Sequence, residues 1–200
     1  MRKKLQIIGL CVLAIYVLTM TFIMPSTAKS ISCRGTMVNI SDSAEYRFVS
    51  DLDVLKYINA AKINPNGLSY KNIQLHDMER KITEIPFVKN AQCYKSPGGL
   101  LCVDIEQRKP IMRIETPTQH LYLDSEGGLM STSTAFTAYV PVLLSEKTLS
   151  KNYLKEDIYK FADYVYNDKF LNALVEQVYI DSNGKIEIVP RVGSQIIVLG

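Results

Sequence analysis

The spacing of hydrophobic residues divides this chain into one long apolar run and two folded units. Residues 5–24 contain no charged side chain. At a helical rise of about 1.5 Å per residue, this run spans about 30 Å, the thickness of a bilayer's hydrocarbon core. We predict one transmembrane helix over residues 5–24, a cytoplasmic tail at 1–4 and a linker at 25–30. Because basic residues occupy positions 2–4, the rest of the chain is expected outside the cytoplasm.

A cleaved signal peptide is the alternative interpretation of this run. Ser26, Thr27 and Ala28 supply small residues where a peptidase would cut, directly after the helix-breaking Pro25. The apolar part of a signal peptide usually has about 7–15 residues, which is shorter than residues 5–24. We therefore favour a retained anchor in the lipid bilayer.

Residues 31–110 carry a pattern that predicts a small β-α-α-β-β domain. A strand is expected at 31–40, and two helices follow, capped by Ser50 and by Asn72. The apolar positions of these helices are Leu55, Ile58 and Ala61 in the first, and Leu75, Met78, Ile82 and Ile85 in the second. Pro86 ends the second helix, and a hairpin follows with strands at 88–95 and 100–107. Two such helices can cover one face of a three-stranded sheet.

The hairpin also decides where two cysteines point. Pro97 cannot take the positive φ that a two-residue hairpin turn needs, so a three-residue loop at 97–99 is expected, with its last glycine in the left-handed conformation. This loop pairs Cys93 with Val103. Cys93 then faces the core and Cys102 faces the opposite side. We predict a buried thiol and a separate outer thiol, without a disulfide between them.

Residues 111–200 predict an antiparallel β-rich domain with a packed helix, so the whole chain is of the α+β class. Strands are expected at 120–124, 140–144, 177–181 and 185–189, and a helix at 153–167. Asn183-Gly184 is typical of a type I′ turn. A last apolar strand follows the turn at 191–193, and such a terminal strand is an exposed edge. We expect the chain to continue beyond Gly200 or a partner strand to pair there.

Charge and composition narrow the classes of function. Three of the 23 basic residues lie at positions 2–4, so the remaining 20 balance the 20 acidic residues. A nucleic-acid-binding protein is expected to carry a basic excess in its folded part. The sequence therefore argues against a nucleic-acid partner.

Candidate chemistry is sparse in this sequence. His76 and His120 have no neighbouring residues at metal-ligand spacing. Cys33, within Ser32-Cys33-Arg34-Gly35, lacks the histidine base that a cysteine transpeptidase needs. Asp124 resembles a turn residue, and no phosphate-binding motif is present. We predict a protein that is not an enzyme, with no catalytic, cofactor-binding or metal-binding residues and no small-molecule substrate.

The order of several segments resembles the bacterial cell-division family FtsQ/DivIB, in the shorter form found in Bacteroidetes. The segments are FVSDLDVLKYI, EIPFVKNAQCYKSPGGLLCVDIEQRKPIMRI, LYLDSEGGLM, VPVLLS and VYIDSNGKIEIVPRVGSQIIVLG. The strongest motif reads Pro86-Phe87-Val88, Ala91-x-Cys93 and Gln107-Arg108-Lys109-Pro110. Gln107 stands where the family usually has Glu, and Cys93 where it usually has Val.

The resemblance implies a POTRA domain and a β domain outside the cytoplasmic (inner) membrane, at the division septum. It implies a non-enzymatic scaffold that binds FtsB-like and FtsL-like bitopic proteins and links them indirectly to the septal synthases FtsW and FtsI. The partner would bind by strand addition at the C-terminal end of the β domain. Here the corresponding residues are Ser194, Gln195, Ile196, Ile197, Val198 and Leu199, or residues beyond Gly200. The aromatic residues that usually contact the partner have no counterpart in this stretch.

Two other classes of protein remain open at this point. A POTRA-bearing component of translocation or outer-membrane assembly would share the first domain, although such proteins usually carry several POTRA units or a barrel. A secreted cell-wall enzyme is opposed by the missing catalytic residues.

Overall fold

The computed structural model describes residues 12–20 and 31–199. Residues 12–20 are helical with exposed side chains. No helix within these described ranges has both the length and the apolar character needed to cross a membrane. The predicted tail and linker, and all of the predicted anchor except 12–20, lie outside the described residues.

The first unit has the predicted order of elements. They are β1 (Gly35–Ile40), α1 (Asp51–Ala60), a 3₁₀ turn (Tyr70–Asn72), α2 (Leu75–Ile82), β2 (Val88–Lys95) and β3 (Leu100–Gln107). The sheet order is β1-β3-β2, with β1 parallel and β2 antiparallel to the central β3. Both helices contribute buried residues to the core of this unit.

One of the two predicted helix caps is confirmed and the other is wrong. The Ser50 hydroxyl accepts a hydrogen bond from the Asp53 amide, and the Asp53 carboxylate accepts one from the Ser50 amide, which forms a capping box. Asn72 instead closes the 3₁₀ turn, and α2 begins after Gln74 without a side-chain cap. Asn72 thus belongs to a separate turn before α2, where its backbone amide donates a hydrogen bond to the Ser69 carbonyl oxygen.

The predicted hairpin register is confirmed, but the predicted exposure of one thiol is wrong. Cys93 pairs with Val103, and Gly99 is left-handed with φ of 82°. Cys102 is only 4% exposed. Its cross-strand neighbours are Met37 on β1 and Tyr94 on β2, and these large side chains flank it from both sides. Position in the middle strand buries Cys102 although it faces away from the main core.

The buried thiols give a testable prediction. Cys33, Cys93 and Cys102 are buried and free, and burial raises the pKa of Cys93 to about 12. A thiol that is buried and protonated reacts slowly with alkylating reagents. We expect N-ethylmaleimide to leave all three unmodified at pH 7.5 in the folded chain and to label them in 6 M guanidinium. Peptide mass mapping would measure this, and a disulfide-linked peptide before reduction would contradict it.

The second unit contains seven strands and a helical region. The strands are β4 (Pro110–Glu115), β5 (His120–Asp124), β6 (Leu129–Ser131), β7 (Val142–Ser145), β8 (Val175–Ile180), β9 (Ile186–Pro190) and β10 (Ile197–Val198). The helical region comprises Lys151–Tyr153, a π-helical turn (Leu154–Ile158), α3 (Tyr159–Asn167) and α4 (Lys169–Leu174). The buried residues of the region between 151 and 167 are Leu154, Ile158, Ala162 and Val165, and all four pack in one core with the sheet. The predicted packed helix is therefore confirmed.

The sheet of the second unit is mixed, and the prediction of an antiparallel domain is wrong. The strand order is β10-β9-β8-β7-β4-β5-β6. β7 pairs in parallel with both β4 and β8, whereas the outer strands pair antiparallel. β7 reaches its place through the connections 132–141 and 146–174, and long connections of this kind permit parallel neighbours. The periodicity of β7 alone does not reveal its direction.

The turn between β8 and β9 also differs from the prediction. Gly184 is left-handed with φ of 89°, whereas Asn183 has no positive φ, and a type I′ turn needs both. The Gly184 amide donates to the Asp181 carbonyl oxygen at 3.1 Å, and the Asp181 amide donates to Lys185. The connection is a three-residue loop. The Asp181 carboxylate favours it by accepting hydrogen bonds from the amides of Asn183 and Lys185.

The two units share one aromatic cluster. Phe48 stacks on Phe87 at a centroid distance of 5.4 Å, both within the first unit. It also contacts Tyr122 of β5 edge-on at 5.7 Å and Phe136 of the 132–141 connection at 4.9 Å. The core of the first unit therefore extends into the second.

Gln107 shows why an amide can replace a carboxylate at this position. Its side chain is completely buried. The Nε2 atom donates to Asp42 and to the Tyr46 carbonyl oxygen, and Oε1 accepts from the Val49 amide. A carboxylate could not donate the first two of these bonds and would lie beside Asp42. The loop before α1 thus supplies the two acceptors and the one donor that the Gln107 side-chain amide needs.

Candidate partner-binding surface

The six residues predicted to bind a partner lie at the end of the seven-stranded sheet. Ser194, Gln195, Ile196, Ile197, Val198 and Leu199 are all exposed. Ile197 and Val198 form β10 opposite Ile188 and Glu187 of β9, and the Leu199 amide donates to the Ile186 carbonyl oxygen at 2.9 Å. Residues 194–196 precede β10 and have no ladder partner among the described residues. The structure thus divides the set into a short edge strand and the loop that leads to it.

Backbone geometry determines which groups of β10 are available. In an antiparallel pair, alternate residues bond to the neighbouring strand. Because Leu199 bonds to β9, the N–H and C=O groups of Val198 point away from β9. No strand covers this edge within residues 12–20 and 31–199. Val198 therefore offers one donor and one acceptor to an incoming strand.

The side chains along this edge are apolar and exposed. The exposed fractions of Ile196, Val198 and Leu199 are 58%, 53% and 55%. Ile197 lies on the side of the sheet where Ile188 joins the helical core, whereas Val198 lies on the opposite side, beside Glu187. An added strand would meet apolar side chains on both sides of the sheet.

Arg191 connects the residues before β10 to the rest of the unit, a role the sequence did not indicate. Its amide donates to the Leu174 carbonyl oxygen at 2.8 Å, and its Nε donates to the Val175 carbonyl oxygen. Nε also lies 2.9 Å from a carboxylate oxygen of Glu176, and the guanidinium lies 4.4 Å from the centroid of the Tyr139 ring. In the sequence, Arg191 stands out only as the first residue of the turn at 191–193. No local pattern could have paired it with Tyr139, because the two residues are far apart along the chain.

A second cluster joins the two units and includes Asp124. As predicted, Asp124 acts as a turn residue, since its Oδ1 accepts hydrogen bonds from the amides of Glu126 and Gly128. Its Oδ2 also lies 2.6 Å from both Nε and Nη2 of Arg108. The third guanidinium nitrogen donates to the carbonyl oxygens of Pro86 and Leu129. The Arg108 side chain thus bridges the first unit and the β5–β6 turn.

The remaining residues considered for chemistry are placed as structural or surface groups. The His76 side chain is 92% exposed and lies 3.8 Å from a carboxylate oxygen of Glu79. His120 contacts Glu115, which also binds Arg113. Among the described residues, no three potential metal ligands of the His, Cys, Asp and Glu types come together.

Cys33 lies in an environment unsuited to a nucleophile. It is 2% exposed, and its Sγ donates to the Gly35 carbonyl oxygen at 3.3 Å. A reactive cysteine instead needs an accessible thiolate in an electropositive environment.

Comparison with protein families gives two matches that follow one another along the chain. Residues 31–106 match the model of a POTRA-like domain, and residues 109–200 match the model of an FtsQ/DivIB C-terminal related domain. A search of curated proteins finds no match. Only residues 107–108 separate the two matched ranges, and Arg108 is the residue that bridges the two units. The two matches confirm the family predicted from the motifs. The chain belongs to the FtsQ/DivIB family of POTRA-containing cell-division proteins.

Proposed function

We propose that this protein is a non-enzymatic, single-pass membrane scaffold of the division machinery. The terminal residues 194–199 would bind an extended segment of an FtsB-like bitopic protein, together with its FtsL-like companion. That complex would link the protein indirectly to septal peptidoglycan synthesis by FtsW and FtsI. The exposed strand β10, at an edge of the sheet left open within the described residues, is the observation that carries this proposal.

Strand addition suits the chemistry of this edge. Backbone hydrogen bonds supply affinity in such complexes, and alternate side chains supply specificity. The outward N–H and C=O of Val198 can provide the first of these contributions. An exposed apolar edge also favours unwanted pairing, and its small length of two residues limits that risk. The occupant we propose is an extended segment whose side chains are apolar on both sides.

The proposed anchor explains how weak contacts could suffice. A helix over residues 5–24, inserted with its N-terminus in the cytoplasm, would confine the protein to the same membrane as its bitopic partners. Confinement raises the effective concentration of each partner for the other. We propose that the POTRA domain occupies residues 31–110 and the β domain residues 111–200. The FtsQ/DivIB match over 109–200 favours this role over a translocation or outer-membrane assembly component.

Substituting Val198 tests the proposed binding mode. Val198→Pro removes the N–H that points away from β9, so no hydrogen bond to β9 is lost. Proline is tolerated on edge strands in this orientation. We expect it to weaken binding at least about tenfold, because the lost hydrogen bond and the steric bulk of the ring both oppose an added strand. Val198→Thr keeps the backbone and a β-branched side chain, so it should bind within about threefold of the original chain.

The measurement uses the full chain in detergent micelles, titrated with the labelled extracytoplasmic segment of the FtsB-like protein from the same organism. Slow hydrogen exchange at the Leu199 amide would verify that β10 still pairs with β9 in Val198→Pro. Unchanged affinity in that variant would exclude strand addition at this edge. In cells, an N-terminal fluorescent fusion should concentrate at the septum, and a uniform envelope signal would contradict the division role.

A further inference from the structure

We infer that Arg191 is a positioning residue for the partner-binding strand, acting through Tyr139, and this inference rests on the proposed function. Arg191 directly follows β9 and precedes the 192–196 loop that leads to β10. Its side chain is only 20% exposed and is occupied by contacts within the protein. We call Arg191, Glu176, the Val175 carbonyl group and Tyr139 the Arg191 latch.

By itself, β10 is weakly held. Its ladder with β9 consists of two residue pairs, extended by the hydrogen bond of the Leu199 amide. The side chains of 196–199 are exposed, so little buried apolar surface keeps them in place. A short, exposed segment of this kind opens readily unless the residues before it are fixed.

The latch fixes the start of this segment. Three contacts tie Arg191 to 174–176, at the end of α4 and the beginning of β8. Gly193 then turns the chain with φ of 94°, a conformation that side chains other than glycine rarely adopt. The contacts of Arg191 therefore fix where the segment starts, and the left-handed Gly193 sets the direction in which it approaches β9.

Tyr139 connects the latch to the shared core. The Tyr139 ring lies under the guanidinium at 4.4 Å and is 78% exposed, so it does not serve the core by its own burial. The preceding residue, Ala138, is buried, and its amide donates to the Tyr122 hydroxyl at 3.3 Å. Tyr122 belongs to the aromatic cluster. A continuous set of contacts thus runs from that cluster through Tyr139 to Arg191.

A different role for Arg191, direct contact with the partner, makes a different prediction. A side chain that only contacts the partner would change affinity without changing the free protein. A positioning residue changes the free protein first, because β10 would open more often before any partner arrives. Hydrogen exchange of residues 195–199 in the free chain separates the two roles.

The experiment compares four variants of the full chain in detergent micelles by hydrogen-exchange mass spectrometry. Tyr139→Ala should accelerate exchange of 195–199 about five- to tenfold, as expected for losing a partly desolvated cation–π contact. Arg191→Gln should accelerate it at least as much, because it also loses the contacts with Val175 and Glu176. Tyr139→Phe keeps the aromatic face and should stay within about twofold. Arg191→Lys keeps the charge but loses the planar stacking, so it should accelerate exchange as Arg191→Gln does.

Urea unfolding of each variant supplies the structural control. Tyr139 is largely exposed, so Tyr139→Ala should leave the unfolding midpoint unchanged while exchange of 195–199 rises. Unchanged exchange in both Tyr139→Ala and Arg191→Gln overturns the inference, whatever their affinity. Acceleration spread evenly over the whole chain overturns it as well. Failure of the original chain to bind the FtsB-like segment would refute the proposed function and leave the exchange comparison readable.

Discussion

Replacing Phe48 with alanine is expected to lower the free energy of unfolding by about 3–5 kcal/mol, the range for truncating a large buried aromatic side chain. Phe48 is 4% exposed, and its ring neighbours four others, those of Tyr46, Phe87, Tyr122 and Phe136. The surrounding rings belong to both units, so the cavity left behind could close only if both units moved. We expect a cost toward the upper part of this range for that reason.

Urea unfolding of the full chain in micelles, followed by circular dichroism, would measure this loss. Phe170→Ala is the matched control, because the Phe170 ring is 71% exposed and its removal should change stability by less than about 0.5 kcal/mol. The location of the effect is informative too. Amide exchange should increase in β5 and β6 as well as around Phe48, and an increase confined to the first unit would show that the cluster does not couple the two.

Replacing Arg108 with glutamine should cost about 2–3 kcal/mol, below the full penalty for breaking a buried ion pair because Arg108 is partly exposed. The side chains of Arg108 and Asp124 are 20% and 5% exposed. The substitution leaves the Asp124 carboxylate charged and buried. The amides of Glu126 and Gly128 still bind it, which limits the loss.

Gly128→Ala tests the same bridge without removing a charge. A Cβ atom at this position would lie 2.0 Å from Nη2 of Arg108, so the guanidinium must move. Gly98→Ala is the control, because a Cβ there has its nearest neighbour at 3.9 Å. We expect the unfolding midpoint to fall in Gly128→Ala and to stay unchanged in Gly98→Ala. Equal midpoints in these two variants would show that the Arg108 bridge contributes little.

Lys89 allows the buried Arg108–Asp124 pair to be compared with ion pairs at the surface. Its ammonium group lies 3.0 Å from Glu126 and 3.5 Å from Glu106, so it also links the two units. Both ion pairs are exposed to solvent, where side-chain entropy and screening offset most of the attraction between the charges. Lys89→Gln should therefore leave the unfolding midpoint unchanged in the same titration in which Arg108→Gln shifts it.

Local reasoning succeeded where a single turn or helix decides the structure. The restricted φ of Pro97 predicted a three-residue loop, and the observed pairing of Cys93 with Val103 follows from it. Ser50 caps α1 as its place before the helix predicted, and Asp53 in the first turn completes the capping box. In each case the interacting groups lie within a few residues of one another, so their spacing along the chain carries the information.

The same reasoning failed where a neighbour from a distant segment decides the outcome. Cys102 is buried because Met37 arrives from β1 on one side and Tyr94 covers the other. The prediction for the Asn183-Gly184 turn failed for a local reason instead, because Asp181 offers its carboxylate to the amides that follow and lengthens the loop. The signal of Asp181 was present in the sequence and was outweighed by the stronger dipeptide pattern.

The sequence by itself determined the order of elements in the first unit, the register of its hairpin, the balanced charge and the family of this protein. Hydrophobic period, proline and glycine act over a few residues, and those effects can be read along the chain. Only the tertiary structure decided that β7 runs parallel between β4 and β8, that Arg108 bridges the two units, and that the Arg191 guanidinium lies over the Tyr139 ring. These contacts join distant residues, and their energy depends on packing, burial and direction that no local period encodes.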